Sequence, residues 1–346
     1  MLRRRRKLLI AVIVLLIGAA IGVAIWLRKH APPDAVRLLP EVEDGVLYLN
    51  LKPLRMAGVL KKTTTPREPE YEQFVRETGF EFERDLDQAA FAVHGPGAAG
   101  GQTRYSEILV GRFDGSRAEA YFKKLAQGVE NYRETTIYSI PHEGRTVRVA
   151  ILGLDQVAVS NLENPAAIHE IIDHYRSSAV PRGGPALVRE HYHDVLFGSL
   201  AWFIGNVGSS GLGQLPSKGL DIPMIGGLVG GSTVVASVRY TGSARLKMEA
   251  FAASEQQAKN IAANLQILLA MFTGAESSVK PSGSDPDVKA FFDSIQVAQH
   301  DDRVILTATL PPGFVKKVLT EPPTEQMTAP VPAPAPPPAP KKKRRK

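Results

Sequence analysis

Twenty consecutive residues without a charge, Leu8 to Leu27, stand between Arg3-Arg4-Arg5-Arg6-Lys7 and Arg28-Lys29-His30. As a helix such a stretch rises about 30 Å, the thickness of a bilayer's hydrocarbon core, with its backbone groups paired internally. Trp26 falls near the far interface, where an amphipathic ring is at home. The cationic excess before the span predicts that residues 1–7 stay on the cytoplasmic side and that the rest of the chain lies outside. Twenty apolar residues exceed the h-region of a cleaved signal, so a retained anchor is the expectation, although Gly22 and Ala24 are small enough for a peptidase. Gly18 and Gly22 form a G-x-x-x-G through which two spans can pack as a homodimer. Small residues are common in spans, and a monomeric anchor is the preferred reading.

The net charge of +7 describes the ends of the chain rather than its middle. Five positive charges lie in residues 1–7 and six in 341–346, neither with an acid, which leaves −4 for everything between them. A mildly acidic body argues against a nucleic-acid-binding face, which needs clustered Lys and Arg. The sequence has no cysteine, so disulfides, thiolate nucleophiles, Cys-ligated zinc and an acyl-Cys anchor are excluded. Roughly 290 residues remain for one large or two small cores.

Along the chain, residues 28–40 read as a spacer, and Gly45 to Leu51 as a first strand with an apolar run. Lys61 to Glu72 reads as a polar loop, and Tyr71 to Thr78 as a short helix that Gly79 can stop. Ala89 to His94 is a second strand, closed by the glycine-rich stretch Gly95 to Gly101. Glu107 to Phe113 is a strand turned by Asp114-Gly115. Ser116 and Glu119 then match a capping box ahead of a helix that aligns Ala118, Tyr121, Phe122 and Leu125. Thr136 to Ile140 and Arg145 to Leu152 form a hairpin about His142-Glu143-Gly144, and Gln156 to Ser160 adds a strand. Asn164-Pro165 opens a helix whose buried face is Ile168, Ile171, Ile172 and Tyr175.

The second half repeats this grammar. Leu246 to Phe251 is a strand, and Ser254 with Gln257 caps a helix carrying Ala258, Ile261, Ala262, Leu265, Leu268, Leu269 and Phe272 on one face. Asp285-Pro286 starts another helix, and a hairpin about His300-Asp301-Asp302 returns Val304, Leu306, Ala308 and Leu310 along one face. The expected fold is α+β: after the transmembrane anchor, 8–27, two similar lobes of mostly antiparallel sheet with packed helices, 41–180 and 181–320. A disordered Pro-rich basic tail, 321–346, ends the chain. Between the lobes, Ile222 to Val238 is seventeen residues long and uncharged, but four glycines and a proline make it a poor second span. Ser232 to Arg239 suits a strand better. Seven prolines in Pro330 to Pro340 set a polyproline spacer.

Few residues suggest chemistry. His169-Glu170-Ile171-Ile172-Asp173-His174 spaces its histidines five apart, which turns them about 140° away from each other on a helix. His169 with Asp173 and Glu170 with His174 read as exposed helical pairs. In Glu190-His191-Tyr192-His193-Asp194 the candidate metal ligands are His191 and His193, which share a side only in a strand, so a polar surface loop is preferred over a metal site. Glu81, Glu83, Arg84, Asp85 and Asp87 read as a solvated face or helix start. No nucleophile elbow, phosphate loop or dinucleotide fingerprint occurs, and no cofactor is expected. Lys341, Lys342, Lys343, Arg344, Arg345 and Lys346 are candidate contacts for an anionic polymer of the envelope.

Three segments resemble a known group: Leu38-Leu39-Pro40 with Val46 to Leu51; Gly79-Phe80-Glu81 with Asp85-Leu86-Asp87; and Leu154 to Ser160 with Ala166-Ala167-Ile168. They are similar to uncharacterised bacterial envelope proteins with an N-terminal anchor and an α+β domain of unknown function. The resemblance spans residues 38–175 and implies a periplasmic or otherwise extracytoplasmic domain held at the bacterial inner (plasma) membrane. The expected function is a non-enzymatic binding or structural role in the cell envelope; the alternative is an envelope hydrolase with a site built from scattered Asp, Glu and His.

Overall fold

In the computed structural model, residues 31–42, 44–56, 69–95, 103–177, 184–208, 229–278 and 286–313 are described. Among them no helix is long and apolar enough to cross a membrane. The Leu8 to Leu27 span, the Gly18/Gly22 motif and the tail from Lys341 to Lys346 lie outside the described residues.

The chain is α+β. In order it runs α1 (Asp34–Arg37), β1 (Gly45–Asn50), α2 (Lys52–Met56), α3 (Pro69–Thr78), α4 (Phe82–Asp85), β2 (Leu86–His94), β3 (Arg104–Gly111) and α5 (Gly115–Leu125). Next come β4 (Gly128–Tyr132), β5 (Thr135–His142), β6 (Arg145–Ile151), β7 (Gln156–Ser160), α6 (Ala166–Arg176) and α7 (Ala186–His191). After a 3₁₀ turn at Tyr192–Asp194 follow β8 (Ala201–Val207), β9 (Ser232–Tyr240), β10 (Ala244–Phe251), α8 (Glu255–Ser278), α9 (Pro286–Asp293), β11 (Gln296–His300) and β12 (Arg303–Leu310). The twelve strands among the described residues join one sheet, in the order β11-β12-β10-β9-β8-β1-β2-β3-β7-β6-β5-β4. Every described pairing is antiparallel, and β1 meets β8 at the middle, Tyr48 opposite Trp202.

The two faces of the sheet are covered by different helices. On the first, Val46, Tyr48, Ala90, Ile108, Ala158, Trp202 and Ile204 form a core with Val36 and Leu39 from the first helical segment, Ile168, Ile171 and Ile172 of α6, and Val188 of α7. Each fully buried isoleucine stabilises by about 1.5–3 kcal/mol. That burial explains why a run rich in β-branched residues is helical here. Pro165 already has helical angles, and Asn164 Oδ1 accepts from the Ala166 N–H at 2.9 Å, so the expected start of α6 is observed. On the second face, α8 lays Ala258, Ile261, Ala262 and Leu265 over Val234, Ala250 and Val304. Near the other wing, Phe80, Leu86 and Ala89 cluster with Phe74, Phe91 and Phe113.

Local signals fared unevenly. Ser254 Oγ accepts from the Gln257 N–H at 3.2 Å, the cap that the spacing predicts, whereas Gln257 Oε1 accepts from the Ala253 N–H at 3.1 Å, one residue ahead of the N–H that a full capping box would satisfy. Ahead of α5 the cap is Asp114 rather than Ser116: its carboxylate accepts from the Arg117 N–H at 3.1 Å, so the helix begins earlier. The loop expected up to Glu72 gives way to helix from Pro69. An exposed strand not anticipated, β4, pairs with β5 through Arg133 and Glu134, both with positive φ (47° and 60°).

Candidate functional site

The segment Glu190 to Asp194 folds as the end of α7 and a 3₁₀ turn, not as a strand. The turn separates the two imidazoles: the His191 side chain is 13% exposed and that of His193 71%. Tyr192 packs edge-on against Trp202, ring centroids 5.5 Å apart, and the Leu196 N–H donates to Ser237 Oγ at 3.4 Å. These contacts hold the segment on the first face of the sheet. Burial, first, and for Tyr48 the nearby Tyr192, push both phenols up, so the rings stay neutral.

Beneath the turn, alternation in β10 puts Lys247, Glu249 and Phe251 on the first face, and Arg303 lies opposite Phe251 in β12. Lys247 pairs with the buried Glu249, and Arg303 approaches Glu249 at 3.9 Å and Asp194 Oδ1 at 3.5 Å. The Arg303 guanidinium stands 4.7 Å over the Phe251 ring, and His191 packs on the same ring at 4.8 Å. Asp194 Oδ2 lies 3.6 Å from His191 Nδ1 and 3.3 Å from His193 Nε2. That oxygen is buried and has no hydrogen-bond partner.

The charges balance: two cations, Lys247 and Arg303, face two carboxylates, Asp194 and Glu249. The cluster ties the α7 segment to β10 and β12. Two imidazoles therefore flank one buried carboxylate oxygen. Among the described residues no group of three His, Asp, Glu or Cys could hold a metal ion, and His191 and His193 share a carboxylate instead. Lys247, Glu249 and Arg303 were not singled out from sequence. Their signal was available in part, as charges at alternate positions of a strand, but the partner turn is distant in the chain.

The remaining charged motifs serve structure. His174 keeps its neighbour Glu170 at 3.7 Å, whereas His169 bonds Glu130 of β4 at 2.9 Å and stacks on Tyr132 rather than pairing with Asp173. Asp173 instead meets Arg133 at 3.0 Å and the Tyr132 hydroxyl at 3.2 Å. Asp85 does sit in a short helix, α4, but it is buried rather than solvated. Burial opposes its charge, yet the Arg84 hydrogen bond, the Glu81 N–H and Arg112 outweigh it and hold the carboxyl below the usual range.

No family model matches the chain, and no curated protein matches it. Among solved structures, three crystal forms of TP0453 are similar. Form III has 9% identity and a TM-score of 0.42, form I 9% and 0.39, and form IV 10% and 0.43. Each match covers 84% of this chain and 98% of the other.

Proposed function

We propose that this chain is a single-pass, membrane-anchored, extracytoplasmic protein of a bacterial envelope with a binding or structural role rather than an enzymatic one. The observation that carries the reading is the uncharged run Leu8 to Leu27 behind five cationic residues. The anchor then holds a broad sheet outside the membrane, and the tail Lys341 to Lys346 extends toward an anionic envelope polymer.

The same reading treats the sheet as two similar lobes. Outward from the middle, one half runs β1-β2-β3-β7-β6 and the other β8-β9-β10-β12-β11. In each, three meandering strands lead to a helix, α5 or α8, and the last strand returns beside the third. This shared course supports an internal duplication, with the β4-β5 hairpin as an addition to the first lobe.

Reporters active on only one side of the membrane, fused after Lys346, test the topology. Activity outside, with the chain retained in membranes after alkaline carbonate, is expected; activity inside overturns the reading. Co-sedimentation with cell-wall polyanions at low salt, lost on deletion of 341–346, is expected of the tail.

A further inference from the structure

Large apolar side chains that the cores leave out converge on one end of the sheet. Strand pairing fixes that end: β1 finishes there at Asn50 opposite Gln88, β7 begins at Gln156 opposite Val110, and β9 finishes at Tyr240 opposite Ala244. Met56 ends α2 just after β1, Phe82 begins α4 just before β2, and Leu154 tips the loop into β7. Leu154 is 94% and Met56 80% exposed, and Phe82 and Tyr240 are exposed as well. Phe197, also exposed, lies in the turn that leads into β8. Six adjacent strands, β9-β8-β1-β2-β3-β7, carry this rim, roughly 24 Å across.

The helix α8 adds to it. α8 starts at the opposite end, where Gln257 Nε2 donates to the Gly230 carbonyl at 3.1 Å just ahead of β9. Its 24 residues rise about 36 Å, whereas the 8 residues of β10 span about 27 Å, so its far turns reach the rim. Ile267 and Met271, one turn apart on the side away from the buried Leu265, are both exposed. Among the described residues only Leu125 and Val129, beside β4, are exposed large apolar side chains elsewhere. Scattered apolar side chains are ordinary on a surface, but their gathering at one end marks a face that meets something apolar.

The course of the chain points to lipid. The Leu38 carbonyl accepts from His174 Nδ1 at 3.2 Å, and two residues further along α6 Arg176 donates to the Glu134 carbonyl at 3.3 Å, in the β4–β5 turn at the rim end. From Leu38 the backbone climbs past Glu170, whose carboxylate accepts from the Glu41 N–H at 3.2 Å, to the far end, where the Asp44 carbonyl accepts from the Asn206 N–H at 2.8 Å. The fold is therefore entered near the rim. Six residues, 28–33, separate Leu27 from Asp34, at most about 20 Å of chain. With Leu8 to Leu27 in the bilayer, the rim is the end of the sheet nearest the lipid, and the opposite end stands a strand length, about 30 Å, further out. Lys52, exposed near Met56, and Arg112, exposed beside the loop of Leu154, are placed to meet lipid phosphates.

We infer that this rim docks on the surface of the bilayer that holds the anchor, with Met56, Leu154 and Met271 entering the boundary between headgroups and acyl chains, so that the strands rise away from the membrane instead of swinging on a tether. The inference rests on the membrane-anchored reading above and adds to it an orientation and a lipid-contacting surface.

Because the sequence has no cysteine, a bimane fluorophore can be attached at single sites of the full chain. Labels at Leu154→Cys and Met56→Cys are compared with one at His142→Cys, in the hairpin of the opposite end, in vesicles of phosphatidylethanolamine and phosphatidylglycerol that contain a lipid spin-labelled near its headgroup. A label at Ile21→Cys, with a lipid spin-labelled deep in its chain, reports the anchor. The Leu154→Cys and Met56→Cys labels are expected to be quenched several-fold more strongly than the His142→Cys label. Leu154→Asp with Met271→Asp, both at exposed positions, is expected to bring quenching at Met56→Cys down to the His142→Cys level without moving the urea midpoint. Equal quenching at the two ends, or undiminished quenching in the Asp variant, overturns the docking, and a quenched Ile21→Cys label in the same vesicles leaves the anchor standing. An unquenched Ile21→Cys label overturns the anchor and the docking with it. A blue shift of the rim labels without lipid quenching assigns the face to a protein partner or a second copy and also overturns the inference.

Discussion

Tyr48 stacks on Trp202 across the β1–β8 junction, ring centroids 5.5 Å apart and planes 29° from parallel. The pair lies where the two halves of the sheet meet, and both side chains are buried. Trp202→Ala is therefore expected to cost about 3–5 kcal/mol and to lower a single cooperative transition. Urea unfolding followed by far-UV circular dichroism measures it; two separate transitions in the wild type would show that the halves unfold independently.

Stability should fall toward both acid and alkali, for opposite reasons. Burial, and then Arg104, hold His94 down at about 4, so the stability of its neutral form is complete above about 6.5 and is lost as pH falls toward about 4. Burial pushes the Glu107 carboxyl, between Phe91 and Val159, up to about 8. Its contribution is present below about 4.5 and is lost as pH rises through about 8. His94→Gln should flatten the acid limb. Glu107→Gln should flatten the alkaline one, a difference of a few kcal/mol at most between about pH 5 and 9. Urea midpoints across that range test both, and unchanged limbs in the variants would refute the assignments.

Arg303 offsets two buried carboxylates, so Arg303→Met should destabilise by about 1–3 kcal/mol. Adding Asp194→Leu removes the carboxylate that Arg303→Met strands, and the double variant should lose less than the sum of the singles. An additive cycle would mean that the 3.5 Å pair contributes nothing.

Glu134 sits in the turn between β4 and β5 at φ 60°. Glycine tolerates that conformation without the penalty an L side chain incurs, so Glu134→Gly should stabilise by about 0.5–1 kcal/mol. A drop in the thermal midpoint would contradict the turn geometry.

These residues also mark how much the sequence disclosed. Gln156–Ser160 and the Glu143-Gly144 hairpin were legible because alternation and turn chemistry agree there. At Asp114-Gly115-Ser116 two residues two apart can both cap, and only the position of the first helical turn decides between them. The β4–β5 turn was hidden because Arg133-Glu134 carries no turn signature and β4 is almost wholly exposed. For β8, Gly205 and Asn206 interrupt a short apolar run, and Gly205 is required where the Asp44 carbonyl would lie 2.6 Å from an added Cβ. The cluster about Asp194 and the apolar rim that joins Met56, Leu154 and Tyr240 are made by register between distant strands. No local pattern encodes which side chains such a register aligns.

The placing of β1 at the middle of the sheet has a consequence for synthesis. One flank of that strand finds β2 early, but its other flank is filled by β8, whose residues emerge some 150 positions later, roughly 8–30 s at ordinary translation rates. For that interval the newborn half-sheet carries an open hydrogen-bonding margin and a bare Tyr48, a natural foothold for a holdase chaperone and a point of risk for mispairing with a neighbouring nascent chain.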